Sequence, residues 1–253
     1  MSSRHTFDAD QQTRRAFLQA AGAAAAAALV GNLPFSALAQ TGASAKMKIG
    51  TFGSGRVGSA IGGAWVKAGH EVMFSSLDLE ADKKLAARLG GGARAGTPRE
   101  AAAFGAVLLL TVPYAALPGL GRDLGELIKG KIVIDTSNPI VGRDGEMAVA
   151  AREKGAGIAS QEFFPGARIV RAFNAIGAAR MAEAANASAR VGMPMAGDDP
   201  EAISVASALI RDVGYEPVLA GTLATMGKYL IPGTPLAGEH SPEEIRRIAA
   251  SLK

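Results

Sequence analysis

The feature that most constrains the fold is a glycine motif, Gly53-Ser54-Gly55-Arg56-Val57-Gly58, together with the residues on either side of it. A hydrophobic stretch typical of a strand, residues 46–52, ends directly before the motif, and a helical pattern over residues 57–68 follows it. By itself G-x-G-x-x-G is a weak signal in a chain with 32 glycines. Between a strand and a helix, however, it is typical of dinucleotide binding. All six residues are therefore candidate cofactor contacts.

The three glycines of the motif have different expected tasks. Gly53 permits the tight turn after the strand, Gly55 lets the backbone approach a pyrophosphate, and Gly58 lets the helix pack closely. The start of that helix then offers free N–H groups and a partial positive charge to the phosphates. The motif thus predicts both a backbone geometry and a ligand.

Short β-rich runs alternate with helical patterns along the rest of the chain. The strands are expected at 46–52, 70–75, 106–112, 131–135, 168–173, 190–196 and 216–219. Helices are expected at 57–68, 80–89, 98–104, 200–213 and 242–252, with one more before residue 131. This alternation is typical of βαβ units. The predicted class is α/β, a Rossmann-type doubly wound and mostly parallel sheet with a small C-terminal elaboration.

The first 39 residues are typical of a targeting segment rather than of a fold. A polar start containing Arg14-Arg15-Ala16-Phe17-Leu18 leads into an alanine-rich run over residues 20–30, and Ala37-Leu38-Ala39 offers a cleavage site. The run is too short to span a bilayer, which needs about 20 apolar residues, so we expect no stable membrane anchor. The paired arginines favour a cleaved twin-arginine signal and an exported, periplasmic protein.

The domain organisation follows from these patterns. We expect a signal peptide at 1–39, a linker at 40–45, a nucleotide-binding Rossmann domain at 46–220 and a C-terminal tail with short helices at 221–253. The chain has no cysteine, which excludes a disulfide scaffold, Cys-ligated zinc, an iron–sulfur cluster and a thiol nucleophile. We predict no metal site. The net charge of +4 is spread along the chain, so nucleic acid is not an expected partner.

The residues at the end of the second strand are expected to determine whether the site binds NAD or NADP. An NAD-binding domain places an Asp or Glu there, about 20 residues after the loop, to hold the ribose 2′-hydroxyl. This chain has Ser75 and Ser76 at that place, and both hydroxyls could donate to a 2′-phosphate. Arg56, Lys83 and Lys84 could add positive charge. The competing carboxylate, Asp78, is expected to cap the next helix, and these residues favour NADP.

Several motifs in order resemble the NADPH:coenzyme F420 oxidoreductase family, to which the reductase domains of the STEAP ferric reductases also belong. The motifs are the glycine loop, the strand ending in Ser75-Ser76, Thr111-Val112-Pro113-Tyr114, Val170-Arg171-Ala172-Phe173-Asn174 and Met193-Pro194-Met195-Ala196-Gly197-Asp198-Asp199-Pro200. The resemblance covers about residues 47–220.

The resemblance implies hydride transfer between NADPH and a flavin-like, deazaflavin-like or quinone-like acceptor, with a flavin or an F420-like molecule as a second ligand. It places the nicotinamide near Thr111-Val112-Pro113 and Asn138-Pro139, and it places Phe173, Asn174, Ala175 and Ile176 on the acceptor side. Such transfer depends on positioning more than on acid–base groups. The chain departs from the family at Leu77, where an arginine is common, and in its tail.

No histidine is a candidate base, because His5 lies in the leader, His70 begins a strand and His240 lies in the tail. One alternative is therefore an exported NADP-binding or sensing protein without turnover. Another is a hydroxyacid dehydrogenase with Lys228 as proton donor, although only 25 residues follow that lysine, too few for the long helical domain of such enzymes. The expected partner is a small-molecule acceptor, and a homodimer is compatible with the sequence.

Overall fold

The computed structural model describes residues 46–183 and 191–252, so the predicted signal peptide and linker lie outside the described residues. The strands are β1 Lys48–Phe52, β2 Glu71–Phe74, β3 Ala93–Ala95, β4 Val107–Leu110, β5 Ile132–Asp135, β6 Arg168–Arg171, β7 Gly192–Gly197 and β8 Glu216–Gly221. The helices are α1 Arg56–Lys67, α2 Leu79–Leu89, α3 Pro98–Phe104, α4 Leu117–Ile128, α5 Val141–Asp144, α6 Glu146–Lys154, α7 Ala156–Phe163, α8 Ala178–Glu183, α9 Pro200–Val213, α10 Leu223–Met226 and α11 Pro242–Ser251.

The strands form one sheet in the order β3-β2-β1-β4-β5-β6-β7-β8. The first six are parallel, β7 runs antiparallel to β6, and β8 runs parallel to β7. The predicted fold class is confirmed. The chain adds strands outward from β1 in one direction and outward from β4 in the other. The direction of winding therefore reverses between these two strands, and this position is the switch point of the sheet. Ligands of open α/β sheets bind beyond the carboxyl ends of the strands at such a point.

The central strand β4 divides the core between the two faces of the sheet. Val107 and Leu109 belong to one cluster of buried apolar side chains, and Leu108 and Leu110 belong to a second cluster. Successive side chains of a strand point to opposite faces, so a strand covered by helices on both sides is apolar throughout. The buried Trp65 in α1 donates its indole N–H to the carbonyl of Leu209 in α9 at 2.8 Å, joining two helices of the first face.

Local capping explains why several helices begin where the sequence predicts. Thr97 and Glu100 form a reciprocal capping box at the start of α3, and Ser241 and Glu244 do the same for α11. Helix α9 begins with a cap from Asp199 and ends at a left-handed glycine, so its predicted bounds of 200–213 are confirmed.

The chain after β8 packs onto the second face of the sheet. Six of its buried apolar side chains share a cluster with those of β4 and β5, and they are Leu223, Met226, Leu230, Leu236, Ile245 and Ala249. A single 3-10 turn, Gly227–Tyr229, lies between α10 and the final segment. Among the described residues no helix is both long and apolar enough to cross a membrane.

The sequence does not predict two parts of the fold. Strand β3 has three residues, too few for a period of two to be visible. Helices α5, α6 and α7 are interrupted by Gly145 and Gly155, which have positive φ angles of 58° and 97°. Glycines of this kind join the helices rather than mark a long loop, because they supply the left-handed conformations that let one short helix follow another.

Candidate functional site

The glycine loop lies at the switch point of the sheet, beyond the end of β1. Gly53 has a φ of +97°, and a Cβ atom there would lie 2.6 Å from the carbonyl oxygen of Thr111. A Cβ at Gly58 would lie 2.0 Å from the carbonyl oxygen of Gly53. Both positions therefore require glycine, because α1 and the segment after β4 approach the loop backbone too closely for a side chain. The distances agree with the predicted turn and helix packing.

Gly55 has a different environment from the other two glycines. A Cβ atom built there meets nothing within 4 Å, so the absence of a side chain leaves open space in front of the loop. Gly55 is also the N-cap of α1, where no side chain caps the helix and no acidic residue occupies the first turn. The free N–H groups of such a helix start are a suitable environment for a phosphate. The residues present therefore fit the pyrophosphate of a dinucleotide.

Thr111 supports this loop from the neighbouring strand end. Its backbone N–H donates to the carbonyl of Phe52 at 2.8 Å, and its side-chain hydroxyl donates to the carbonyl of Gly53 at 2.5 Å. The hydroxyl is thus directed at the loop itself. Thr111 was expected among the cofactor contacts, and the structure gives it the task of holding the loop in place.

The end of β2 corrects the expectation for one of the two serines. The side chain of Ser75 is completely buried, and its hydroxyl donates to the carbonyl of Thr51. It therefore faces the core and cannot donate to a 2′-phosphate. Ser76 is half-buried and Leu77 is fully exposed. Asp78 caps α2 as predicted, because its carboxylate accepts from the N–H of Ala81 at 2.9 Å.

Asp82 connects the glycine loop to the end of β2, and sequence reasoning misses it. It lies in the first turn of α2, completely buried, and its carboxylate accepts the hydroxyls of Ser54 and Ser76. An acidic residue in a first turn is ordinarily explained by the helix dipole. Only the tertiary structure brings Ser54, 28 positions earlier, into contact with it.

The segments after β4 and β5 approach each other through Asp144. Its carboxylate accepts from the N–H of Ile140 at 2.9 Å and from the N–H of Ala115 at 3.3 Å, and it pairs with Arg143 at 2.8 Å. Burial alone would raise the pKa of Asp144, but the hydrogen bonds from Arg143, Ile140 and Ala115 outweigh burial and hold this pKa below its usual value. Asp144 thereby fixes the segments containing Pro113 and Asn138-Pro139 relative to each other.

Two arginines act together with Asp144, and we call the three residues the clamp. The arginines bind carbonyls of the segment that contains Asn138-Pro139. Arg143 donates to the carbonyl of Asn138 at 2.9 Å, and Arg152 donates to the carbonyl of Pro139 at 3.0 Å. Neither arginine is part of a recognisable motif, so sequence reasoning does not find them. Together with Asp144 they give the predicted nicotinamide-side segment a defined backbone conformation.

A buried ion pair lies at the ends of β5 and β6. Arg171 donates to the carboxylate of Asp135 at 2.6 Å, and the exposed fraction of both side chains is 0%. The guanidinium also donates to the carbonyls of Ser137 and Leu230, each at 3.0 Å. A buried ion pair is tolerated only when such further hydrogen bonds satisfy it. The pair therefore ties two strand ends and the C-terminal segment together.

The structure brings the predicted nicotinamide side and acceptor side into contact next to this pair. The side-chain amide of Asn138 donates to the carbonyl of Asn174 at 3.1 Å, and the amide of Asn174 donates to the carbonyl of Ser137 at 3.4 Å. Within the described residues, the hydroxyl of Ser137, the side-chain oxygen of Asn174 and Nε of Arg171 are buried without a hydrogen-bond partner. Such atoms are suited to bind a polar ligand group.

The other predicted acceptor-side residues are mostly packed in the core. Phe173 is buried with its ring edge-to-face against Tyr215, at 6.3 Å between ring centroids, and Ile176 is buried in the same cluster. Of the four predicted residues, only Ala175 keeps more than a small part of its surface. Phe173 also has a φ of +64°, a strained conformation for a bulky residue. Strain of this kind is concentrated at functional sites.

Tyr114 and His70, two further titratable side chains of the described residues, are not placed to act as an acid or a base. Burial raises the pKa of Tyr114 to about 12, and this hydroxyl donates to the carbonyl of Ala156. His70 directly precedes β2, at the amino end of the strand and away from the carboxyl ends where the site lies, and it contacts Asp212 and the N–H of Met47. Across the described ranges, no group of three or more His, Cys, Asp or Glu residues is arranged to hold a metal.

Part of the site lies in a segment that matches a known protein family. Residues 48–139 match the family described as NADP oxidoreductase, coenzyme F420-dependent. The matched segment is less than half of the chain. It contains the glycine loop, the end of β2, Pro113 and Asn138-Pro139, but not Arg171 or residues 173–176. The match therefore bears on the nucleotide side of the site and leaves the acceptor side unassigned.

Solved structures share the fold over most of the described chain. A hypothetical protein from Sinorhizobium meliloti is 24% identical with a TM-score of 0.68, over 77% of this chain and 95% of the other. The candidate F420-dependent NADP reductase of Arthrobacter sp. is 23% identical with a TM-score of 0.61, over 74% and 90%. A 3-hydroxyisobutyrate dehydrogenase from Mycobacterium tuberculosis is 18% identical with a TM-score of 0.54, over 73% of this chain and 57% of its own.

Two glycine substitutions should separate the packing task from the binding task. Gly58→Ala places a Cβ against the carbonyl of Gly53, so we expect it to lower the free energy of unfolding by about 1–3 kcal/mol. Gly55→Ala should leave stability nearly unchanged but weaken nucleotide binding by at least about tenfold, or ~1.4 kcal/mol. Urea denaturation and NADPH titration measure the two effects. Equal nucleotide affinity in Gly55→Ala and the unaltered protein would contradict this assignment.

Asp144→Asn should reduce the acid sensitivity of the protein. Because the folded-state pKa of Asp144 lies below the unfolded value of about 3.8, its contribution to stability is full above that value and is lost as the pH falls through the folded-state pKa. At pH 7 we expect the substitution to cost about 1–3 kcal/mol of unfolding free energy, and below about pH 4 the difference should shrink. Denaturation at several pH values measures both, with the exposed Asp123→Asn as the control.

Proposed function

We propose that the protein is an oxidoreductase that binds NADP(H) and transfers a hydride between the nicotinamide and a flat acceptor of the flavin, deazaflavin or quinone type. The observation that carries this proposal is the geometry of the glycine loop. Neighbouring backbone packs closely against Gly53 and Gly58, whereas the space in front of Gly55 is open. The family description of residues 48–139 supports NADP as the nucleotide and reduction or oxidation as the reaction. The acceptor rests on sequence resemblance alone.

The residues of the site act by binding and positioning. When bound, the nicotinamide supplies the hydride or accepts it, so the protein needs no nucleophile or metal for that step. The start of α1 holds the diphosphate, and the clamp of Asp144, Arg143 and Arg152 sets the walls near Pro113 and Pro139. Ser137 and Asn174 offer unpartnered polar atoms beside those walls, which are suited to orient a carboxamide or a ring carbonyl.

A second candidate function is a nucleotide-binding or sensing protein without turnover. The burial of Phe173 and Ile176 favours it, because these residues then form core rather than an open surface for a second ring. Export by a twin-arginine signal, which we propose from residues 1–39, also fits a protein that carries its nucleotide out of the cytoplasm. The two candidates share the nucleotide site and differ only in the acceptor side.

Binding and turnover together test the two proposals. NADPH added to the purified protein should give a saturable change in nucleotide fluorescence, and a panel of flavins, deazaflavins and quinones should then oxidise the bound NADPH. Binding without oxidation by any acceptor favours the sensing function. Absence of binding by any nicotinamide nucleotide contradicts both.

Lys228→Ala should leave hydride transfer within about twofold of the unaltered rate. Lys228 is exposed and its ammonium lies 5.0 Å from the centroid of the Tyr229 ring, and the proposed hydride transfer needs no acid from it. A dehydrogenase with a lysine acid would lose most of its turnover, on the order of 10²-fold or more. Steady-state rates measure the difference, with the exposed Lys67→Ala in α1 as the control. A loss confined to Lys228→Ala would favour the dehydrogenase alternative.

A further inference from the structure

The adenosine end of the site contains a buried carboxylate, Asp82, and lacks the arginine that the resemblance predicts at position 77. Asp82 is completely buried and accepts two hydroxyl hydrogen bonds, from Ser54 on one carboxylate oxygen and from Ser76 on the other, the latter at 2.9 Å. Ser54 belongs to the glycine loop and Ser76 to the end of β2. These are the two walls between which the adenosine ribose of a dinucleotide lies in this fold.

The direction of these hydrogen bonds decides what the serines can recognise. A serine hydroxyl has a single proton to donate and two lone pairs that accept. Ser54 and Ser76 both donate to Asp82, and the hydroxyl of Ser76 also accepts from the N–H of Asp78 at 3.1 Å and lies 3.3 Å from the carbonyl of Asp78. Because both protons are taken by groups of the protein, each hydroxyl can only accept from a ligand. A ribose 2′-hydroxyl can donate to such an acceptor. A 2′-phosphate has mainly acceptor oxygens and is not matched by it.

The charge of Asp82 acts in the same direction. Two consecutive hydrogen bonds through one hydroxyl span at most about 6 Å, so a 2′-phosphate in contact with Ser54 or Ser76 would lie within that distance of the carboxylate. At such a distance like charges repel appreciably, even near a protein surface.

The charges of the surrounding residues are mixed. Leu77, at the position expected for an arginine, is fully exposed and uncharged. Lys83 pairs with Glu80 at 2.7 Å, and Asp78 adds a further carboxylate at the start of α2. Lys84 and Arg56 are exposed cations near this end of the site. The residues present thus fit the dinucleotide but fit its 2′-phosphate poorly.

We propose that Asp82 is a specificity-determining residue that opposes a 2′-phosphate, so that the site does not prefer NADP(H) over NAD(H). The proposal rests on the proposed nucleotide binding and adds the choice of nucleotide to it. The carboxylate that selects between the nucleotides lies in the first turn of α2 and acts through two serine hydroxyls. It does not lie at the end of β2, where an NAD-binding domain has its carboxylate.

The test compares the dissociation constants of NADPH and NADH for the full-length protein and its variants, measured by calorimetry without any acceptor. In the unaltered protein NADPH should bind no more than about threefold tighter than NADH. Asp82→Asn removes the charge and should tighten NADPH binding roughly tenfold while changing NADH binding much less. Asp123→Asn, an exposed neutralisation in α4, should leave the ratio within about twofold.

A second variant keeps the test decisive if Asp82→Asn does not fold. Leu77→Arg changes only an exposed side chain, and it should favour NADPH over NADH by roughly tenfold. A preference of the unaltered protein for NADPH above about threefold overturns the proposal, as does an unchanged ratio in a folded Asp82→Asn. If no protein binds either nucleotide, nucleotide binding itself is contradicted, whereas binding with an unchanged ratio overturns only the role of Asp82.

Discussion

The buried ion pair between Arg171 and Asp135 is the interaction on which the arrangement of this protein most depends. Two charges with no exposed surface are tolerated because further hydrogen-bond partners supplement the pair, although Nε of Arg171 itself has none among the described residues. The carbonyls of Ser137 and Leu230 are two of these partners. The pair therefore joins β5, β6 and the chain after β8, and it sets the backbone from which Asn138 and Asn174 meet.

The two ends of the candidate site are built by different means. The phosphate end is made of backbone, with Gly53, Gly55 and Gly58 defining where atoms approach and where space remains. The opposite end is made of side chains, in which Asp144 and two arginines hold loop carbonyls and N–H groups. A backbone site of the first kind tolerates few residue types, whereas a clamp of the second kind can be assembled from many.

Particular elements show how far sequence reasoning extends. Helix α9 and helix α3 were predictable to the residue because their caps, Asp199 and Thr97, are local signals that act within three positions. Strand β3 and the helices between 141 and 163 were missed, since three residues show no period and Gly145 and Gly155 resemble loop residues. The orientation of Ser75 was also missed. Its contact with Thr51 crosses from β2 to β1, and no local pattern records which face of a strand end a hydroxyl takes.

The sequence by itself determined the fold class, the glycine loop and the absence of cysteine chemistry, because hydrophobic periodicity, capping and the steric demands of glycine are properties of neighbouring residues. The tertiary structure decided which polar groups meet across the fold. Asp82 reaches Ser54 over 28 positions and Arg171 reaches Leu230 over 59. Contacts at such separations exist only after the sheet has formed, because the sheet brings strand ends together in its own order rather than in the order of the chain.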